Sequence, residues 1–305
     1  MDHAEAAAEP AIESPRGWEG RLARGFRLAR VSWEVLAGDW RLLALPLMAA
    51  LCALGALVAT ATLARGLHGG SDAVRVIAPV WLAAYLVSFA TIFFNVALVH
   101  VVARRWQGEP AGIVDGLAAA VRRVGAIAGW SVLTTTVGIA LRLFERLTLG
   151  VGRLLLGIVA GVGWSVASFF VVPALVVEHQ GPVRALRRSA ALVRSRWAEG
   201  LGGVTPIALA TLMLLAPVFG LLCIGAVLYV TGMTAVGLLA MTGAAVCAVV
   251  VWIVSVALTQ VFTLAVFQHA TGGPCFDGFP AGDLERPRDV RAMRALRRLR
   301  RGGSS

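Results

Sequence analysis

Six apolar runs, at about 42–64, 76–103, 124–141, 154–177, 204–230 and 234–267, dominate this sequence and leave few ways to fold it. A helix needs about 20 apolar residues to cross a hydrocarbon core of about 30 Å, and each run reaches or approaches that length. A soluble domain has nowhere to hide them. Of 305 residues, 58% are hydrophobic and 15% charged, and mean hydropathy is +0.78, whereas soluble domains use about 45–50% apolar residues. Within lipid each segment must satisfy its own backbone polar groups, so the runs are expected to be helical. The expected fold class is all-α, an integral membrane bundle of six transmembrane helices. Only Thr231-Gly232-Met233 separates the last two spans, which implies a tight hairpin. The last span is long enough to tilt or to project into the cytosol.

Arginine sets the orientation. All 28 basic residues are Arg, and 23 of them fall in residues 1–41, 104–123, 178–203 and the segment after 268. The other five are Arg65, Arg75, Arg142, Arg146 and Arg153. Cytoplasmic flanks retain positive charge during insertion, so both termini are expected in the cytosol of a multi-pass cell-membrane protein. The outer loops are then too short for an external binding domain. A net charge of +11 and a pI near 11.2 would point to nucleic acid in a soluble protein. Here the arginines flank apolar runs, where they meet lipid phosphates, and no interleaved aromatic and basic surface is present to stack bases. Membrane lipid is the expected partner, another membrane protein the second candidate, and nucleic acid is not expected.

Residues 1–15 and 270–305 are rich in Ala, Gly, Pro and charge, and neither segment could bury a core. The domain reading is a disordered head (1–15), a transmembrane domain (16–269) and a basic cytosolic tail (270–305). Within the tail, Asp289 to Arg301 (DVRAMRALRRLRR) either forms a basic helix on anionic lipid or stays solvated. The first run begins near Leu42, too far in for a secretory signal, and lacks an A-x-A cleavage site, so it is expected to persist in the mature chain. Cys52, Cys223 and Cys247 lie in apolar runs and Cys275 in the tail, with no C-x-x-C pair. They are expected to be buried thiols acting as small apolar side chains rather than zinc ligands or a disulfide framework. His100, His179 and His269 lie near the cytosolic boundary without an H-E-x-x-H pairing. No cofactor or metal is expected.

The most specific feature is an internal repeat. Residues 25–40 read GFRLARVSWEVLAGDW and residues 182–197 read PVRALRRSAALVRSRW. At an offset of 157 residues, Arg27, Arg30, Ser32 and Trp40 fall on Arg184, Arg187, Ser189 and Trp197. At helical periodicity Phe26, Ala29, Trp33, Leu36 and Trp40 make one apolar stripe, and Val183, Leu186, Ala190, Val193 and Trp197 make its counterpart. A weaker copy runs from 115 to 130, with Leu117, Ala120, Val124 and Ile127 on the stripe and Trp130 one position early. Each copy precedes an odd-numbered span. The inferred architecture is three units, each a cytosolic amphipathic helix followed by a transmembrane hairpin. The stripe and its Trp would sit at headgroup depth while Arg reaches phosphate. Trp33, Trp40, Trp130, Arg184, Arg187, Arg188 and Trp197 are therefore candidate lipid or partner contacts. The competing reading makes these helices elbows packed beneath the bundle.

Polar residues within spans are costly without a partner. Asn95 and Gln260 are the candidates, along with Thr134 to Thr136, each read first as an interhelical or backbone hydrogen bond rather than a solute ligand. Pro173 is expected to kink the fourth span, and Glu178 to cap or to pair with an arginine such as Arg184. Arg142, Glu145 and Arg146 have the spacing of a surface pairing. Gly129-Trp130-Ser131-Val132 and Gly163-Trp164-Ser165-Val166 look like the setting of an intramembrane serine nucleophile, but the histidines are expected at the cytosolic face, far from Ser165 near mid-membrane, and Ser131, at a better depth, stands in a motif too short to carry weight.

Pro173, Glu178, Gly181, Pro182, Ala185 and Ser189, together with Phe94-Asn95, carry a resemblance to a family of uncharacterised prokaryotic multi-pass membrane proteins. That family joins its fourth and fifth spans with the pattern P-x-x-x-x-E-x-x-G-P-x-x-A-x-x-x-S. The likeness runs from about residue 16 to 278 and implies topology without an activity. It makes Pro173, Glu178, Gly181 and Ser189 candidate structural residues of the linker. A looser likeness exists to the membrane portion of some glycerophosphodiester phosphodiesterases, which also places amphipathic elbows before hairpins, but no cluster of acidic residues suited to a metal-bound phosphodiester is present here. The expected function is a non-enzymatic accessory or scaffold protein contacting lipid or a partner membrane protein. The alternative is a small-solute transporter or channel, motivated by repeated hairpins and Asn95; against it, the spans lack buried charge and Gly/Pro-broken helix pairs.

Overall fold

A computed structural model describes residue 33 and residues 36–66, 72–147, 151–196 and 204–271. The head, most of the first elbow copy, Trp197 and the basic tail lie outside these residues. Among the described residues the chain is all-helical: a 3-10 turn Trp40–Leu43, then α1 Ala44–Gly66, α2 Asp72–Trp106, α3 Ile113–Arg122, α4 Val124–Leu147, α5 Val151–Ser168, α6 Val171–Val177, α7 Pro182–Arg196, α8 Val204–Val230 and α9 Thr234–Thr271. Six segments, Trp40–Gly66, Ile77–Trp106, Val124–Arg146, Ala160–Val177, Thr211–Val230 and Thr234–Gln268, are long and apolar enough to cross a membrane. They form three hairpins. The 3-10 turn precedes the first, α3 the second and α7 the third.

The fourth span differs from a kinked continuous helix. It stops at Ser168, turns at Phe169 and Phe170, and restarts as the seven-residue α6. Pro173 accounts for the position of the break. Its nitrogen cannot donate to the carbonyl four residues back, and its ring clashes with that carbonyl, which belongs to Phe169.

The third elbow copy also folds differently from its stripe. The chain leaves helical geometry at Arg123 (φ −111, ψ 13), ending α3, and α4 starts at Val124. Trp130 is thus carried into the span and is only 3% exposed, which corrects its reading as a lipid or partner contact.

The core sits at one end. Leu42, Leu45, Val96 to Val102, Ala120, Ile127, Phe170 to Leu175, Ala185 and Val261 to Phe267 supply most of the buried side chains. All belong to the end that also carries Arg104, Arg105, Arg122, Arg123 and α7, called the arginine-rich end below. Toward the other end Leu54, Leu57, Val58, Phe219, Ile224, Leu239 and Val246 are exposed, as lipid-facing side chains are in a bundle whose solvent is hydrocarbon. The shape is a packed collar with three hairpin arms.

Glycine allows two close approaches. In the α8–α9 arm a Cβ on Gly237 would fall 2.5 Å from the Tyr229 nitrogen and 2.7 Å from the Gly225 carbonyl. At the collar a Cβ on Gly116 would fall 2.7 Å from the Ala97 carbonyl, so its absence lets α3 lie directly on α2.

Candidate functional site: latched elbows at the arginine-rich end

α6 is too short to satisfy its own termini, and both ends are closed by side chains from other elements. At its start, the break frees the Phe170 amide, which donates to Ser189 Oγ on α7 at 2.9 Å. Ser189 is fully buried. At its end, the Leu175 carbonyl accepts from the guanidinium of Arg123, the residue between α3 and α4. Burial lowers the pKa of Arg123, which nevertheless stays charged. Val171, Pro173, Ala174, Leu175 and Val176 are all buried around this element.

The linker pattern now has a physical meaning. Pro173 breaks the span and Ser189 accepts the amide that the break releases. Gly181 and Pro182 start α7, with the Gly181 carbonyl accepting from the Ala185 amide at 2.9 Å and proline in the first helical position, where no donor is needed. Ala185, one turn before Ser189, is fully buried on the same face. Glu178 does not pair with Arg184. Its carboxylate accepts from Arg188 Nε at 3.0 and 3.2 Å and from Gln180 Nε2 at 2.6 Å. His179 (φ 58) turns the chain so that Glu178 meets the second turn of α7 rather than the first. Sequence distance alone favoured Arg184; the reversal favours Arg188.

A second latch joins the first elbow to the second. Asp39 accepts from the Arg41 amide at 3.1 Å, capping the 3-10 turn, and from Arg105 Nη2 at 2.8 Å. Arg105 Nε donates to the Ala111 carbonyl at 2.9 Å, and Arg104 pairs with Glu109. The hydrogen bond from Arg105 holds the Asp39 carboxyl below its usual pKa, against the opposing effect of burial.

The outward side of these elbows is different. Trp40 is 75% exposed and Trp33 is also exposed, as are Arg184 and Arg187. Arg188, offered by the sequence as a lipid or partner contact, is engaged by Glu178. Trp197 lies outside the described residues. Trp130 stacks on Trp164 with ring centroids 5.8 Å apart, and Ser131 donates to the Ile127 carbonyl at 2.8 Å. The two Gly-Trp-Ser-Val segments therefore meet as a packing pair. Arg142, Glu145 and Arg146 form no ion pair among the described residues; the Glu145 carboxylate lies over Gly157 of α5.

Within the membrane, Ser88 and Thr134 hydroxyls bond at 3.0 Å between α2 and α4. These helices run antiparallel, so two further turns place Asn95 level with Ile127 on the same seam. Asn95 is 7% exposed, and Thr135 on α4 has a buried hydroxyl without a partner. Gln260 is half-buried. The sequence reading passed over Gln268, which is 1% exposed with neither amide atom hydrogen-bonded. It stands at the very end of the last apolar run, where a glutamine reads as an interfacial residue facing water; only the packing of α9 inside the collar buries it.

The sequence model of a family described as a family of unknown function (DUF6159) matches residues 75–277. Neither a curated protein nor a solved structure matches the chain.

Proposed function

The chain belongs to this family of unknown function, and we propose that it is a non-enzymatic accessory or scaffold protein of the cell membrane. In this reading both termini are cytosolic, and the arginine-rich end holds lipid or a partner membrane protein through its amphipathic elbows. One observation carries the reading: the polar groups of this end fall into two sets. Arg104, Arg105, Arg123 and Arg188 are engaged in latches, while Trp40 is exposed and the exposed Arg184 and Arg187 form no ion pair among the described residues. A rigid collar that presents aromatic and guanidinium groups outward suits adhesion. Replacing Trp40 by Ala together with Arg184 and Arg187 by Gln is expected to remove co-purifying lipids or proteins on native gels without lowering thermal stability. Unchanged complexes would count against the scaffold reading.

A transporter or channel is the second reading, favoured by the broken fourth span and by Asn95 at membrane depth. Broken helices serve transport when their freed backbone groups face a solute. Here the freed Phe170 amide is occupied by Ser189 and the Leu175 carbonyl by Arg123, which weighs toward the scaffold. Solute flux abolished by Asn95→Leu, with folding intact, would reverse that weighting.

A further inference from the structure

Each elbow exposes the same doublet, a large apolar side chain followed directly by an arginine: Trp40-Arg41 in the 3-10 turn, Val121-Arg122 at the end of α3 and Val183-Arg184 at the start of α7. Arg187 and Arg194 extend the last of these along α7, seven residues apart and so on one face. None of these five arginines makes an ion pair among the described residues, although Arg41 lies within the field of Asp39. Among the described residues the carboxylates of the same region are already engaged. Asp39 holds Arg105, Glu109 holds Arg104, Glu178 holds Arg188, and Asp115 accepts from the Gly112 amide at 2.8 Å. Among the described residues of these elbows the unpaired charge is therefore mainly positive, and Arg41, Arg122 and Arg184 each follow an exposed apolar side chain.

We propose that the three doublets form a binding surface for anionic phospholipids of the leaflet in which the arginine-rich end lies; this rests on the scaffold reading and names its ligand. The apolar member reaches the boundary between headgroups and acyl chains, and the guanidinium beside it meets a phosphate in its forked geometry. A sheet of anionic headgroups reaches doublets on three separate elements at once, which is the arrangement that a lipid surface can satisfy without a matching fold of its own.

The test uses the purified full chain in nanodiscs of equimolar phosphatidylglycerol and phosphatidylcholine, with the lipids retained on release counted by native mass spectrometry. Retained phosphatidylglycerol is expected to exceed phosphatidylcholine by about fivefold or more. The ratio should approach one in the variant combining Arg41→Gln, Arg122→Gln, Arg184→Gln and Arg187→Gln, and should lie between that value and the wild type when the same four positions are Lys, which keeps the charge and loses the fork. Arg188→Gln, which breaks a latch, should lower the melting temperature and leave the ratio unchanged. If the four-site variant fails to fold, Arg184→Gln with Arg187→Gln alone should still lower the ratio measurably. A wild-type ratio near one, or a ratio that the Gln variants leave unchanged, would overturn the proposal. Should that happen while native complexes are still lost on substitution, an acidic protein partner is the ligand and the scaffold reading stands. Enrichment that persists in defined lipid while native complexes do not respond would instead support this surface and contradict the scaffold reading.

Discussion

Ser189 makes a hydrogen bond that no backbone group nearby can replace. Its oxygen serves an amide orphaned by a helix break 19 residues earlier in the chain. Ser189→Ala should therefore cost about 1–3 kcal/mol, the penalty of leaving a buried donor unpaired, read as a lower melting temperature in detergent. Asp39 gives a pH-dependent counterpart. Its folded pKa is depressed by Arg105, so the stability it contributes is present above the unfolded value and lost as pH falls through the folded one. Because the pair is partly exposed, that contribution is at most about 1 kcal/mol. The gap in melting temperature between the wild type and Asp39→Asn should hold at neutral pH and close in acid, below the usual carboxylate value of 3.8. At this scale the sequence was legible as a pattern and opaque as pairings. Pro173, Glu178, Gly181 and Ser189 stand out by spacing, but the partner of Glu178 depends on a reversal at His179 that spacing does not encode.

Among elements, α3 and α6 decide how the collar closes. Gly116 admits α3 onto the backbone of α2, and because a Cβ there would meet the immovable Ala97 carbonyl as well as the Val101 side chain, Gly116→Ala should cost about 1–3 kcal/mol as an overpacked contact. Gly125→Ala, where a Cβ meets nothing within 4 Å, is the matched control and should be neutral or slightly stabilising. Thermal melting of the two variants side by side checks both. The break before α6 shows what hydropathy cannot deliver. A proline near the end of an apolar run signals a disturbance, yet whether the helix bends or stops depends on whether another element offers an acceptor for the released amide. α7 offers one. Trp130 fails as an interfacial residue for a related reason: the stripe drawn through residues 115–130 assumed one continuous helix, and the chain turns at Arg123.

Across the whole molecule, the six apolar helices were readable because the length needed to cross hydrocarbon is fixed by the bilayer and leaves a long, unmistakable run. The concentration of packing at one end was not readable, since core and lipid-facing residues are equally apolar in a membrane protein. The proposed division of labour at the arginine-rich end sets latching side chains apart from an outward adhesive face. Quantitative mass spectrometry of material gently extracted from membranes, paired with melting curves, tests it on two variants. Arg184→Gln with Arg187→Gln should lose co-purifying lipid or protein at wild-type melting temperature, and Ser189→Ala should keep its companions while melting earlier. If the face variant retains every companion, or the latch variant melts with the wild type, the division does not exist.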